Sequence, residues 1–419
     1  MEAFTLIAIV LALLVLRQNV VLILLVVTAY IQFVWSGGTV LYVIEDLWSS
    51  MDNHVLLAIP MYIIAGKLMA RGSIARDLIN MVRAATDWMP GGLGMATVLS
   101  CALFAAVSGS SAATLLAVGV VMYPALKEAG YSERFSIGSV TSAGTLGILI
   151  PPSIPLIIYG IVTETNVADL FLAGVIPGIL LTFALAAYSM VTNLGNERGV
   201  FSMGRLIAAI RKGIFALMTP VILLGGIYSG YFSPTEAAAV AVGYAILIEL
   251  LIYRELTAKD FFNEAVSTAV MLGTLFPIVA VALSLKSVLA IEGVPADFAA
   301  WIQATFDSKI TFLLALNVAL LLIGCLIDVV SAILLLGPVM LAAAAHFGIN
   351  PVQLGIIMII NLEIGLLTPP IGLNLLVASG AFNKRFAEVS LSVVPFILLM
   401  IAVLMLVTFI PDLSLYLLE

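Results

Sequence analysis

The chain has 419 residues, of which 63% are hydrophobic and only 10% charged, and its mean hydropathy is +1.22. Such a composition excludes a soluble globular domain and describes an all-α polytopic membrane protein. The net charge of −7 comes with no basic stripe, which argues against a nucleic-acid partner.

The same residues leave little for an enzyme. Cys101 and Cys325 lie in separate apolar runs and read as small buried hydrophobes rather than a disulfide, and His54 and His346 are isolated. There is no HExxH, GxSxG or Walker loop, so neither zinc-dependent nor ATP-hydrolysing chemistry has residues to stand on. Met1-Glu2 carries no positive leader and no small-residue cleavage site precedes Arg17, so the first apolar run reads as a span and not a signal peptide.

In chain order, apolar runs fall at 3–16, 19–36, 55–70, 135–160, 170–194, 213–229, 235–252, 266–290, 353–379 and 388–411. Each approaches the ~20 residues that a crossing needs. Two further runs, 93–126 and 309–346, are interrupted near the middle by Ser108-Gly109-Ser110-Ser111 and by the stretch from Gly324 through Asp328 to Ser331. Each is either two crossings or one re-entrant hairpin. Between the spans lie charged amphipathic stretches, Ser73–Trp88 and Arg198–Lys212, expected as helices in the membrane interface, and a shorter charged turn at Arg254–Glu264. Ser233-Pro234-Thr235-Glu236 reads as a capping box that opens the next span.

Charge placement decides for two hairpins. With both re-entrant, Arg17, Arg71, Arg76, Arg83, Lys127, Arg134, the Arg198–Lys212 segment, Arg254, Lys259, Lys384 and Arg385 fall on one side, as cytoplasmic loops require. Glu2, Glu45, Asp46, Asp52, Glu164, Asp169, Glu236, Glu292, Asp297 and Asp412 fall on the other, and both termini are then periplasmic. The first hairpin enters from the cytoplasm and the second from outside.

A gapless shift of 218 positions superposes Gly119 on Gly337, Val121-Met122 on Val339-Met340, Gly130 on Gly348, Gly147 on Gly365 and Pro151-Pro152 on Pro369-Pro370. Opposite orientations make this an inverted-topology repeat, an arrangement shared by secondary transporters. Each copy holds a proline-broken span, Gly144–Pro155 and Gly365–Asn374, whose freed carbonyls need partners in hydrocarbon. The expected division is a single permease, 1–419, with scaffold at 1–90, a transport repeat at 91–180, scaffold at 181–308, a second transport repeat at 309–380 and a last span at 381–419. Lys67 and Lys286 precede the two hairpins at nearly one offset; snorkelling to an interface is the plain reading of both, and a role beside the hairpins the alternative.

The shift also pairs Ser110 with Asp328, so the hairpin tips are equivalent. Serine hydroxyls and freed carbonyls are the neutral oxygens that a dehydrated Na⁺ needs, and small residues packing helices tightly is the plain alternative. The first expected sodium site comprises Ser108, Gly109, Ser110, Ser111, Gly144, Thr145, Gly147 and Pro151; the second comprises Gly324, Asp328, Ser331, Gly365, Thr368, Pro369 and Asn374. Ser110, Pro152, Ser153, Asp328 and Asn374 are the candidates for contacting substrate. Asp328, expected in a buried loop, either holds a cation, bonds the amides of its turn, or pairs with another side chain; Glu363 reads as a packing or paired residue.

These residues resemble the large membrane subunit of tripartite ATP-independent periplasmic (TRAP) transporters over essentially the whole chain. The resemblance rests on Pro90-Gly91-Gly92-Leu93, Ser108 to Ala112, Pro124-Ala125-Leu126 with Gly130-Tyr131, GILIPPSIPLIIYG from Gly147 to Gly160, SPTEAAAV from Ser233 to Val240, and GLLTPPIGLNLLVASG from Gly365 to Gly380. It departs from that pattern at the run up to Trp35 and at the tip Asp328-Val329-Val330-Ser331, which lacks the proline or threonine often found there. The resemblance implies a sodium-driven symport of an organic acid across the bacterial inner membrane by an elevator mechanism. It implies no cofactor beyond Na⁺ as coupling ion. It also implies two partners, a periplasmic solute-binding protein and a small four-helix membrane subunit, the latter expected as a separate chain. A stand-alone sodium- or proton-coupled carboxylate carrier is the alternative, and a channel or scaffold a third reading.

Overall fold

The computed structural model describes the chain apart from Met1, Arg17, Ser36, residues 196–198 and Glu419. Arg17 and Arg198, used above in the charge count, lie outside the described residues. The described residues form twenty α-helices and no strand. The N-terminal part holds α1 (Glu2–Val15), α2 (Val20–Tyr30) continued by a π turn (Ile31–Trp35), α3 (Val40–Met51), α4 (Ala58–Arg71) and α5 (Ser73–Thr86). At 1.5 Å per residue the 14 residues of α1 reach only about 21 Å, short of the ~30 Å hydrocarbon core, so the first run is shorter than a perpendicular span.

The first repeat follows. Helices α6 (Gly92–Ser108) and α7 (Ser111–Glu128) form a hairpin, and α8 (Glu133–Gly144), a 3-10 turn (Thr145–Ile148) and α9 (Ile154–Thr163) form the broken span. The 26-residue α10 (Val167–Thr192) completes it. A middle section contains α11 (Met203–Tyr228), α12 (Pro234–Ile246) with a π extension (Leu247–Ile252), and the 34-residue α13 (Ala258–Ile291). The second repeat runs through α14 (Val294–Thr305), hairpin arms α15 (Lys309–Gly324) and α16 (Val329–His346), half-helices α17 (Pro351–Gly365) and α18 (Leu373–Phe382), and α19 (Phe386–Phe409), before the short α20 (Asp412–Leu415).

The repeat read from sequence is a repeat of structure. The second arms α7 and α16 begin at Ser111 and Val329, 218 positions apart, and both have 18 residues. Both breaks contain a cis X-Pro peptide, Pro151-Pro152 and Pro369-Pro370. Each half-helix beyond a break closes on a non-glycine residue in the left-handed region, Glu164 (φ 57°) and Asn383 (φ 51°). Each tip is bonded to the break that follows it: Ile154 N–H donates to Gly109 O at 3.3 Å, and Ile371 N–H to Cys325 O at 3.2 Å.

Among the described residues, seven helices are long and apolar enough to cross a membrane. Two expectations change. The charged stretch up to Lys212 is not a separate interfacial helix: it runs without a breaker into the following span, and α11 is continuous through Pro220, which costs one hydrogen bond and not the helix. The turn at Arg254–Glu264 is likewise half helix, because a capping box of Thr257 and Asp260 starts α13 there. By contrast, the amphipathic helix expected over Ser73–Trp88 is present as α5, which ends at Thr86, with Ile74, Leu78 and Ile79 buried. The boundaries expected at 180 and 380 fall inside α10 and α18.

Candidate functional site

At the first tip the sequence dictates the turn. Gly109 takes φ +60°, which ends α6 without a Cβ penalty, and a Cβ there would lie 2.8 Å from Pro152 O. Ser110 caps α7, its Oγ accepting from Ala113 N–H at 3.5 Å. Ser108 Oγ lies 2.7 Å from Thr114 Oγ1, which donates to Ser110 O at 2.9 Å. Gly147 of the broken span presses on the same atoms: a Cβ there would sit 2.4 Å from Ser110 O and 2.6 Å from Thr114 Oγ1. Hydroxyl and carbonyl oxygens from tip and break therefore meet in a buried space, with Ser108 and Ser111 at 2% and 4% exposure.

The remaining residues of this group divide. Gly144 packs against Leu115, and Pro151, Pro152 and Ser153 are buried. Ser153 is occupied with folding: its Oγ donates to Ile148 O at 2.5 Å and caps α9 by accepting from Leu156 N–H. Thr145 turns away from the hairpin, and its hydroxyl contacts Ser142 O and Glu363 Oε1, both at 2.7 Å. Thr145 and Glu363 are 218 positions apart, so the two repeats touch through equivalent residues, which places this pair on the axis that relates them. Glu363 is fully buried and its Oε2 has no protein partner.

The second tip differs. Asp328 is exposed, not buried as expected; it caps α16, with Oδ1 accepting from Ser331 N–H at 3.0 Å. Of the readings left open for it, the amide-bonding one is the geometry observed. Ser331 is buried with its Oγ unpartnered. Gly324 and Gly365 meet backbone to backbone, since a Cβ on Gly365 would fall 2.5 Å from Gly324 C. Thr368 Oγ1 donates to Ile364 O at 2.9 Å. Pro369 and Pro370 are exposed, in contrast to the buried first break, because α9 is enclosed by its neighbours and the loop before α18 is not. Asn374 joins the halves: its Oδ1 accepts from Ser111 Oγ at 2.7 Å, and its buried Nδ2 is unpartnered.

Two clefts flank the hairpins, and the repeat relates them. One, of about 860 Å³, has Ser110, Leu116, Ala117, Val120 and Val121 on one wall and Lys67, Arg71 and Arg76 on the other. The second, of about 250 Å³, is lined by Leu334, Leu335, Pro338 and Val339, each 218 positions on, and by Lys286. Here Lys286 Nζ pairs with Glu164 Oε1 at 2.7 Å, closing α9 against α13.

A hydrophobic inverted repeat of this kind, with hairpin tips laid on proline breaks, is a transporter architecture in search of a family. Residues 7–413 match the family described as "Tripartite ATP-independent periplasmic transporter, DctM component". The chain belongs to that family. This TRAP large permease is 39% identical over 372 residues to the C4-dicarboxylate TRAP transporter large permease protein DctM of Pseudomonas aeruginosa, covering 88% of this chain and 87% of that protein. It is 38% identical to the isethionate TRAP transporter permease protein DctMQ of Oleidesulfovibrio alaskensis over 90% of this chain, and spans 60% of that relative's length. The ectoine TRAP transporter large permease protein TeaC of Halomonas elongata is 36% identical over 89% of this chain. The fold is similar to the crystal structure of the Alcanivorax borkumensis YdaH transporter, with a TM-score of 0.62 at 14% identity, covering 87% and 86% of the two chains.

Sequence reasoning missed three residues of this permease, Thr114, Glu249 and Glu133, and the contact between two that it had named. Thr114 bridges Ser108 to the tip carbonyl, and no spacing rule singles out a threonine inside a hairpin arm. The 218 register makes Thr145 and Glu363 equivalent positions, and the structure brings the two side chains into contact. Buried Glu249 accepts from Ser73 N–H (3.0 Å), Ser73 Oγ (3.2 Å) and Ile74 N–H (2.9 Å), so a carboxylate 176 positions away caps α5. Glu133 gathers Tyr123 Oη at 2.5 Å, Lys384 Nζ at 2.8 Å and Lys127, tying the end of the first hairpin to the turn before α19. Those partners hold the Glu133 carboxyl down at about 2.

Proposed function

We propose that this TRAP large permease imports an organic acid by Na⁺-coupled symport across the bacterial inner membrane, moving its two hairpins and two broken spans as one body past the scaffold in an elevator motion. The observation that carries this reading is the convergence of Ser108 Oγ, Thr114 Oγ1 and Ser110 O on Gly147 at the first break, a set of neutral oxygens suited to Na⁺. The second ion would sit where Gly324 meets Gly365, beside Thr368 and Asn374. Coupling then requires Na⁺ and solute to favour the same closed tips, because a ligand with equal affinity for two states shifts neither.

The names of the relatives support an acid-bearing solute: a C4-dicarboxylate, isethionate and ectoine are attached to proteins that match most of this chain. Partners follow from the same family: a small membrane subunit and a periplasmic solute-binding protein that delivers the solute. With the Lys- and Arg-rich loops placed in the cytoplasm, the larger cleft opens inward and both termini are periplasmic.

The test is uptake into proteoliposomes holding the permease and its small subunit, with and without the binding protein, under an imposed Na⁺ gradient. Uptake that needs both Na⁺ and the binding protein supports the reading; saturable uptake without the binding protein supports the stand-alone carrier. Ser108→Ala combined with Thr114→Ala, which removes the two hydroxyls at the first site, is expected to weaken sodium dependence, and unchanged dependence would overturn the ion assignment.

A further inference from the structure

We propose that Lys67 is the scaffold group that receives the solute's acid group in the larger cleft. The inference rests on the transport reading above and adds a residue to it. Three cations line the scaffold wall of that cleft, Lys67, Arg71 and Arg76. Two are already neutralised: Arg71 donates to Asp260 Oδ1 at 2.7 Å and to Glu264 Oε1 at 2.8 Å, and Arg76 pairs with Glu255. Lys67 Nζ has one partner, the neutral Ser267 Oγ at 2.8 Å, and among the described residues no carboxylate pairs with it. An ammonium has three donors, so two remain to meet something in the cleft.

The repeat indicates what that something is. Lys286 occupies the corresponding place in the smaller cleft, and there the ammonium holds a carboxylate, Glu164, carried by the broken span. The residue that closes α18 as Glu164 closes α9 is Asn383, which is uncharged. The carboxylate that the protein supplies to Lys286 therefore has no counterpart for Lys67. The opposite wall of the larger cleft starts at the Ser110 tip with the small side chains Ala112 and Ala113 and continues through Leu116, Ala117 and Val120, none of them charged. A carboxylate or sulfonate leaving the hairpin tip meets Lys67 as the one lining cation without a counter-ion.

The experiment measures Na⁺-driven uptake of succinate, isethionate and ectoine by the permease reconstituted with its small subunit and binding protein. Lys67→Met is expected to lower Vmax/KM at least tenfold, mainly through KM, for whichever of these acids the wild type carries, and Lys67→Arg to stay within about threefold of wild type. Lys67→Cys is then treated with 2-aminoethyl methanethiosulfonate, which restores an ammonium, or with methyl methanethiosulfonate, which restores only bulk; Cys101 and Cys325 are buried. Recovery with the first reagent alone supports the assignment. Recovery with both, or wild-type uptake by Lys67→Met, overturns it and leaves the transport reading intact. No Na⁺-driven uptake of any acid by the wild type overturns the transport reading itself and the assignment with it.

Discussion

The two clefts are built from one repeat, yet one encloses about 860 Å³ and the other about 250 Å³. Their hairpin walls share four equivalent positions, but the larger cleft also runs along Ser110, Ala112 and Ala113 and has Ala117 where the smaller one has Leu335. The half-helix beyond each break adds to the difference. In the smaller cleft the end of α9, Val162 to Glu164, reaches across to Lys286 and fills the space; in the larger cleft the end of α18 does not line the wall at all. The same inverted repeat thus sits in two unequal packings, and the asymmetry follows both from which half-helix end reaches the cleft and from which side chains line it.

The largest test of this comparison is steric. Gly147→Val places a Cβ 2.4 Å from Ser110 O and Gly365→Val one 2.5 Å from Gly324 C, backbone atoms that cannot swing aside. Each is expected to abolish uptake and to destabilise by about 3 kcal/mol, read by thermal denaturation in detergent. Gly337→Ala, whose nearest neighbour is 3.6 Å away, is expected to be tolerated; equal damage from all three would deny the breaks their special packing.

Next is the capping carboxylate Glu249, which holds α5 at the rim of the larger cleft. Glu249→Ala leaves the amides of Ser73 and Ile74 buried without acceptors and is expected to cost on the order of 1–3 kcal/mol. Hydrogen exchange confined to residues 73–86 should rise; unchanged protection there would show that α5 is held by packing alone.

A smaller effect is expected at the ion pair that closes the second cleft. Its Glu164 carboxylate is 81% exposed, and exposed pairs contribute about 0–1 kcal/mol, so Glu164→Gln should shift the balance of the clefts by up to about fivefold. Thiol labelling at Val339→Cys should quicken and at Val121→Cys slow; the same rates at both would mean that the pair holds nothing closed.

The smallest concerns Glu133. With its folded value near 2, below the ordinary carboxylate range, the stabilisation from Tyr123, Lys127 and Lys384 is present above pH ~4.3 and is lost as pH falls through about 2. Melting temperature should be flat from pH 8 to 5 with respect to this group, and should fall by about 1–2 °C more on acidification in the wild type than in Glu133→Gln. Identical acid profiles would remove the clamp from the list of links between the repeats.

Much of this molecule was legible because its physics is local. Proline pairs break helices wherever they stand, glycine ends a helix at a tip, and a serine or aspartate at the next position caps the following one; so Ser110, Ser153 and Asp328 were found, although Ser153 proved to be committed to its own turn. Long-range acceptors were not legible. Glu249 beneath Ser73, and Glu133 between Lys127 and Lys384, involve residues that share no spacing, and the exposure of Asp328 follows from which neighbours enclose a tip.

The sequence by itself determined a membrane protein, an inverted repeat in the 218 register, two hairpins and two proline breaks, because each follows from hydropathy, proline chemistry and charge placement along the chain. Only the tertiary structure decided that Thr145 meets Glu363 on the repeat axis, that the first break is buried and the second exposed, and that among the described residues Lys286 pairs with a carboxylate while Lys67 bonds the neutral Ser267. The reason is physical: a repeated sequence fixes what each half is made of, while which neighbours enclose each half depends on contacts between residues far apart in the chain, and no local spacing encodes them.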